Sequence, residues 1–204
     1  MTETALTLLG YDISWLELIG TLSGLASVAL AVRNSVLTWP VGLVNVVAFA
    51  FLFYRFELFS DVLLQGYFFV MSLYGWYHWS GGGQRAEVPI RVLSHRQRWG
   101  WGVGILAVTQ GQGYVMSQLG AALPLADAFT TVASIAATVL LARRVVESWV
   151  LWVLVDVVAV YVYFRRGILL VGIEYIIFLG MAGYGLYRWI TLYRNEWRPA
   201  SAAA

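Results

Sequence analysis

Trp149, Trp152 and Asp156 stand at i, i+3 and i+7 within the apolar run WVLWVLVDVVAV (149–160), so a helix there aligns all three along one stripe. Two indole faces beside a carboxylate suit a flat cationic ring, which stacks on tryptophan by cation–π attraction and is balanced by the acid. A carboxylate placed so deep in an apolar helix is costly and is expected to face a bundle interior or a wet cavity. A second run, WPVGLVNVVAFA (39–50), carries Asn45 at a similar depth, with Thr38 and Val41 on its stripe. Farther along, Gln65, Phe68, Phe69, Ser72 and Trp76 share one helical side, and Glu174 lies about six residues inside the start of the last apolar segment. One set offers indoles and a carboxylate, the other a carboxamide, a hydroxyl and room. A ligand with a cationic ring at one end and hydroxyls at the other would satisfy both. Structural readings compete with this one: Asn45 and Gln65 as interhelical hydrogen-bond glue, Asp156 as a protonated structural carboxyl, Glu174 as a wetted group, and Trp149 as part of an interfacial belt. Trp152, a turn deeper than Trp149, is the better ligand candidate.

The elements that must position these groups are membrane helices. The 204-residue chain is 60% hydrophobic and only 12% charged, half the charged share of an ordinary soluble domain, roughly 25%, and its mean hydropathy is +0.73. Seven segments approach the length of about 20 apolar residues that spans a bilayer, at 14–32, 36–54, 59–79, 99–119, 125–142, 148–164 and 168–189. The expected fold is therefore an all-α integral membrane protein of seven transmembrane helices. The long polar loop SGGGQRAEVPIRVLSHRQR (80–98) sets off the first three. Arginine placement orients the chain: Arg33, Arg85, Arg91, Arg96, Arg98, Arg143, Arg144, Arg188, Arg194 and Arg198 fall on one side, and Arg55, Arg165 and Arg166 on the other. That bias predicts the N-terminus outside and the C-terminus in the cytoplasm. Glu3, Asp12, Glu17, Glu57, Asp61 and Asp127 then gather near the outer ends, where acids would concentrate a cationic solute.

The helices also repeat. A shift of 111 residues places Ser23 on Ser134, Ala31 on Ala142, Arg33 on Arg144, Asn45 on Asp156 and Phe53 on Phe164. With one deletion in the following loop the shift becomes 110, and YGWYHW (74–79) falls on YGLYRW (184–189). The expected organisation is a first three-helix repeat (1–79), a loop with a linking helix (80–124), a second three-helix repeat (125–190) and a cytosolic tail (191–204). A single linking helix leaves the halves in the same orientation, hence a 3+1+3 parallel repeat, and such repeats hold substrate near the midplane.

The same residues argue against other classes. With no Cys and two isolated histidines, His78 and His95, there is no metal set, no catalytic triad and no expected cofactor. GWGVG (100–104) and GGG (81–83) lack the strand–turn–helix context of a nucleotide loop. A net charge of +2 spread between apolar runs does not describe a nucleic-acid surface. The N-terminal MTETALTLLGYDISW lacks a basic n-region and is not expected to be a signal peptide. The chain reads as a transporter, not an enzyme.

GLVNVVAF (42–49), LLQGYFFVMSLYGWYHW (63–79), DAFTTVASIAA (127–137), ESWVLWVLVDVV (147–158) and EYIIFLGMAGYGLYRW (174–189) together resemble the PnuC family of vitamin transporters. The likeness covers nearly the whole chain and includes the family's Trp-x-x-Trp-x-x-x-Asn/Asp pattern. It implies a fold related to full-length SWEET sugar transporters, a homotrimer in the bacterial inner membrane, and facilitated diffusion of nicotinamide riboside, trapped inside by a cytosolic kinase. Carried over by position, Asn45, Gln65, Trp149, Trp152, Asp156, Glu174 and Tyr175 become the expected substrate contacts. Ser72 stands where many nicotinamide riboside carriers have Asn, and Asp156 where some have Asn. Thiamine, another aromatic cation, is the alternative substrate. Neutral riboflavin and deoxynucleosides, also carried within the family, are less suited to the carboxylates.

Overall fold

Ser14 and Gln97 mark how this sequence starts helices. The Ser14 hydroxyl accepts from the Glu17 amide at 3.3 Å while the Glu17 carboxylate accepts from the Ser14 amide at 2.8 Å, a reciprocal cap that satisfies two otherwise orphaned donors. Ser94 and Gln97 repeat the arrangement ahead of the fourth helix, and Pro124 opens the fifth. The computed structural model describes residues 4–8, 11–81 and 88–201. Over these the chain runs β1 (Thr4–Leu8), β2 (Tyr11–Ser14), α1 (Trp15–Val32), α2 (Thr38–Arg55), α3 (Phe59–Trp79), α4 (His95–Gln118), α5 (Pro124–Ala142), α6 (Glu147–Arg165) and α7 (Leu169–Ser201). All seven expected helices are present. Glu3, Arg85 and most of the GGG run lie outside the described residues.

Three features were not expected. β1 and β2 pair antiparallel ahead of α1. α4 begins at His95, four residues before the apolar stretch, because the Ser94 cap carries the helix through His95–Arg98. α7 continues to Ser201, 33 residues in all, about 50 Å at 1.5 Å per residue, well beyond the hydrocarbon thickness of about 30 Å. By length and composition α1, α2, α5 and α6 are apolar enough to cross a membrane. α3, α4 and α7 are long enough, but Tyr, Trp, Gly and Gln dilute their apolarity. Large apolar side chains on the exterior, including Leu63, Val70, Leu106 and Ile176, suit lipid rather than water.

The chain forms two compact units, Met1–Glu87 and Val88–Ala204. In the first, α2 packs against both α1 and α3; in the second, α4 packs on α5, and α6 packs against both α5 and α7. Asn45 and Asp156 therefore sit on the central helix of each set of three.

Local geometry recurs between the units at one offset of 110 residues. The cap residues Arg33 and Arg143 correspond, and after them Asn34 and Arg144 take the left-handed conformation at φ 55° and 54°. The Ser35 amide reaches back to the Leu30 carbonyl as the Val145 amide does to Leu140, the six-to-one bond of a Schellman ending. α2 and α6 end alike: Glu57 and Gly167 have φ 59° and 73°, and Leu58 and Ile168 bond back to Phe53 and Tyr163. The expected shift of 111 ahead of the loop, with a deletion inside it, is thus corrected to a uniform 110. At that register Asp156 corresponds to Val46, Asn45 to Val155, and Trp149 to Trp39.

Candidate functional site

On α6, Trp149, Trp152, Asp156 and Tyr163 fall within an arc of about 60° at 100° per residue, yet they do different things. Trp149 is only 1% exposed, and its ring meets Trp189 of α7 edge-on at 5.7 Å and 74°. A Cβ at Gly185 would lie 2.6 Å from that indole, so glycine there is what lets α7 approach. The first unit repeats the device: Trp39 meets Trp79 at 5.4 Å and 88°, over Gly75. Trp149 is enclosed by its own unit.

Trp152 is half-buried and packs against Ile105, Val132, Ala133, Ala136 and Val155, a cluster drawn from α4, α5 and α6. One turn on, Asp156 is 4% exposed, and it has no hydrogen-bond or ion-pair partner among the described residues. A buried carboxylate normally requires a partner. The site therefore combines an indole braced from behind with an uncompensated acid.

The ring contacts fix which residues face each other. Seven residues inward from Trp149 and Trp189, Asp156 faces Ala182, which is 2% exposed. Seven more reach Tyr163 and Tyr175, whose rings stack at 5.2 Å and 17°. Glu174 and Tyr175, both half-buried, therefore stand two turns from Asp156, about 10 Å along the axis. Seven residues inward from the Trp39–Trp79 contact, Val46 and Ser72 come to one level. Ser72, 7% exposed, thus lies on α3 at the level of Val46, the counterpart of Asp156, and itself corresponds to Ala182. Gln65 is half-buried, as is Phe68, which meets Tyr67 edge-on at 5.5 Å. Asn45 turns towards α1, and its Nδ2 donates to the Gly20 carbonyl at 2.8 Å.

Tyr163 escaped the reading of the sequence, although its place seven residues beyond Asp156 on the same stripe was a usable signal. Its partner Tyr175 came from family resemblance alone.

Residues 14–191 match the family described as the nicotinamide mononucleotide transporters, the family to which the PnuC proteins belong. The chain belongs to the PnuC family of vitamin transporters. It is 32% identical to the nicotinamide riboside transporter PnuC of Escherichia coli (strain K12), over 92% of this chain and 90% of that one. It is 30% identical to the riboflavin/roseoflavin transporter RibM of Streptomyces davaonensis, over 100% and 98%. A crystal structure of the vitamin B3 transporter PnuC superposes with a TM-score of 0.71 at 26% identity, covering 89% of this chain and 83% of that one. PnuC family membership makes this a multi-pass membrane protein of a transporter family, and the match over 14–191 takes in α1 to α6 and most of α7.

Proposed function

We propose that the chain imports nicotinamide riboside by facilitated diffusion across the bacterial inner membrane, with intracellular phosphorylation of the substrate maintaining the inward gradient. The observation that carries this reading is Asp156, buried and unpartnered one turn from Trp152. A pyridinium ring stacked on Trp152 would supply the missing positive charge. Glu174 and Tyr175 contact the substrate two turns along. Gln65 and Ser72 meet the ribose hydroxyls, as does Asn45 through the oxygen that its bond to Gly20 leaves available, and Phe68 packs against the sugar. Trp149 positions α6 against α7 one turn from Trp152 and lines the end of the site there. Residues 1–79 and 125–190 form parallel repeats joined by the linking segment 80–124, as in full-length SWEET transporters. The protein works as a homotrimer with its N-terminus outside and the 191–204 tail in the cytoplasm.

A flavin reading has one observation in its favour: the riboflavin relative is similar over the entire chain. Thiamine shares the cationic ring and is the third ligand to compare. Titrating purified protein with all three decides. Nicotinamide riboside is expected to bind tightest, and Asp156→Ala to weaken it by about tenfold or more, the equivalent of 1.4 kcal/mol. Tighter riboflavin binding that ignores Asp156→Ala would replace this reading with the flavin one. Thiamine competing at lower concentration than the riboside would replace it with the thiamine one.

A further inference from the structure

We propose that residues 88–94 are a strap that fixes the start of α6, and that Glu147 is the positioning residue through which it acts on transport. The segment is usually counted as loop, but its backbone is paired. The Arg91 amide donates to the Arg144 carbonyl, and the Val146 amide donates to the Arg91 carbonyl, both at 2.9 Å, so the strap forms a parallel bridge with the α5–α6 turn. Arg144, 4% exposed and held at φ 54°, donates from Nη1 to the Val88 carbonyl at 2.6 Å. Ile90 is buried beside it at 4% exposure.

Glu147 closes the strap. Its two carboxylate oxygens accept from the Leu93 amide at 3.1 Å each, and Oε1 accepts from Arg98 Nε at 2.8 Å. One carboxylate thereby joins the strap, the first turn of α4 and the first turn of α6. α6 has no side-chain cap of its own, so Glu147 adds a side-chain anchor at that end to the backbone bond from the Val146 amide to Arg91. Behind the anchor, Ser148 is 0% and Trp149 1% exposed. At the offset of 110 the first unit has Asn34 and Leu37 in place of Arg144 and Glu147, and Leu37 is 56% exposed. The anchor therefore belongs to the second unit's turn and has no counterpart of the same chemistry in the first.

The consequence falls on motion more than on affinity. Trp152 and Asp156 lie about 8 and 14 Å along α6 from Glu147 at 1.5 Å per residue. Trp152 keeps its own packing against α4 and α5, so the binding geometry survives without the strap. What the strap adds is a fixed axial position for α6 relative to α4, so that α4, α5 and α6 shift as one body during the transport cycle. A loosened end would absorb that movement locally.

The chain has no cysteine, so Ser148→Cys provides a single, near-isosteric reporter. In detergent-purified protein its maleimide labelling is expected to be slow, and Glu147→Ala to accelerate it by about tenfold or more through local opening. Arg98→Ala, which removes a half-exposed partner, gives a milder acceleration and remains informative where Glu147→Ala does not fold. Without the reporter, Glu147→Ala is expected to slow initial uptake about fivefold or more while the substrate Kd stays within about twofold. Glu147→Gln, which still accepts from the Leu93 amide, recovers most of the rate. Unchanged labelling in both variants overturns the strap. Faster labelling with normal uptake, or a loss of affinity equal to the loss of rate, overturns its role in transport. The uptake arm rests on the proposed substrate, but labelling needs none, so failure of the wild-type protein to bind the riboside is distinguishable from failure of the strap.

Discussion

Replacing Asp156 by Asn removes a charge while nearly preserving shape, which separates electrostatic recognition from packing. A charge-assisted contact is worth about 1.5–3 kcal/mol, so Asp156→Asn is expected to weaken a cationic ligand by roughly 10–100-fold and to leave a neutral flavin almost unaffected, as read by calorimetric titration. The two tryptophans separate by different measurements. Trp149, enclosed against Trp189 and Gly185, carries a large packing contribution, and Trp149→Ala is expected to cost about 3–5 kcal/mol, seen as a large fall in Tm. Trp152→Ala is expected to act mainly on affinity, by a cation–π contribution of about 0.5–2 kcal/mol, with a smaller change in Tm. Spacing alone placed these residues on one stripe, and this much was legible in the sequence. Which of them turns towards α7 was not, because that depends on a glycine thirty-six residues away, Gly185, whose role appears only when two helices meet.

Helix packing at the level of elements depends on where side chains are missing. Gly185→Ala and Gly75→Ala would each drive a Cβ to within 2.6 Å and 2.5 Å of an indole, and overpacking of this kind costs about 1–3 kcal/mol. Gly183 has nothing within 4 Å, and Gly183→Ala is expected to stabilise by about 0.4–1 kcal/mol through lost chain entropy in the unfolded state; thermal unfolding in detergent compares the three. Asn45→Ala removes the bond from α2 to the Gly20 carbonyl, worth on the order of 0.6 kcal/mol for an interhelical bond in a membrane. A fall in affinity much beyond that identifies Asn45 as a ligand contact in addition to its structural role. The helix spans were legible because apolar runs and Arg-rich turns alternate plainly. The repeat register was not, since Ala, Val, Leu and Ser recur so often in apolar helices that chance identities such as Ser23 with Ser134 favoured 111. The turns settle it at 110, because Asn34 and Arg144, or Glu57 and Gly167, share a left-handed conformation without sharing a residue type. The strap was missed for a related reason: its pairing uses backbone amides, and a sequence does not show where those point.

For the whole molecule, the decisive quantity is the charge that crosses the membrane. A facilitator carrying a monovalent cation past a fixed carboxylate moves one net charge per cycle, since Asp156 remains in its helix. Each elementary charge couples to the membrane potential by about 2.3 kcal/mol per 100 mV, equivalent to a concentration ratio on the order of fifty. Reconstituted vesicles without kinase are therefore expected to equilibrate nicotinamide riboside to equal concentrations at zero potential. With an inside-negative potassium diffusion potential of about 100 mV they should accumulate it towards that ratio. A pH gradient imposed at zero potential should change nothing. Accumulation that followed the pH gradient would mean that a proton moves with the substrate, with Asp156 the first group to examine as its carrier. Accumulation that ignored both gradients would require an energy source outside the facilitator reading. Adding an internal kinase and ATP should then raise total uptake while holding unmodified substrate inside below that ratio, because trapping removes the transported species and so maintains the inward gradient.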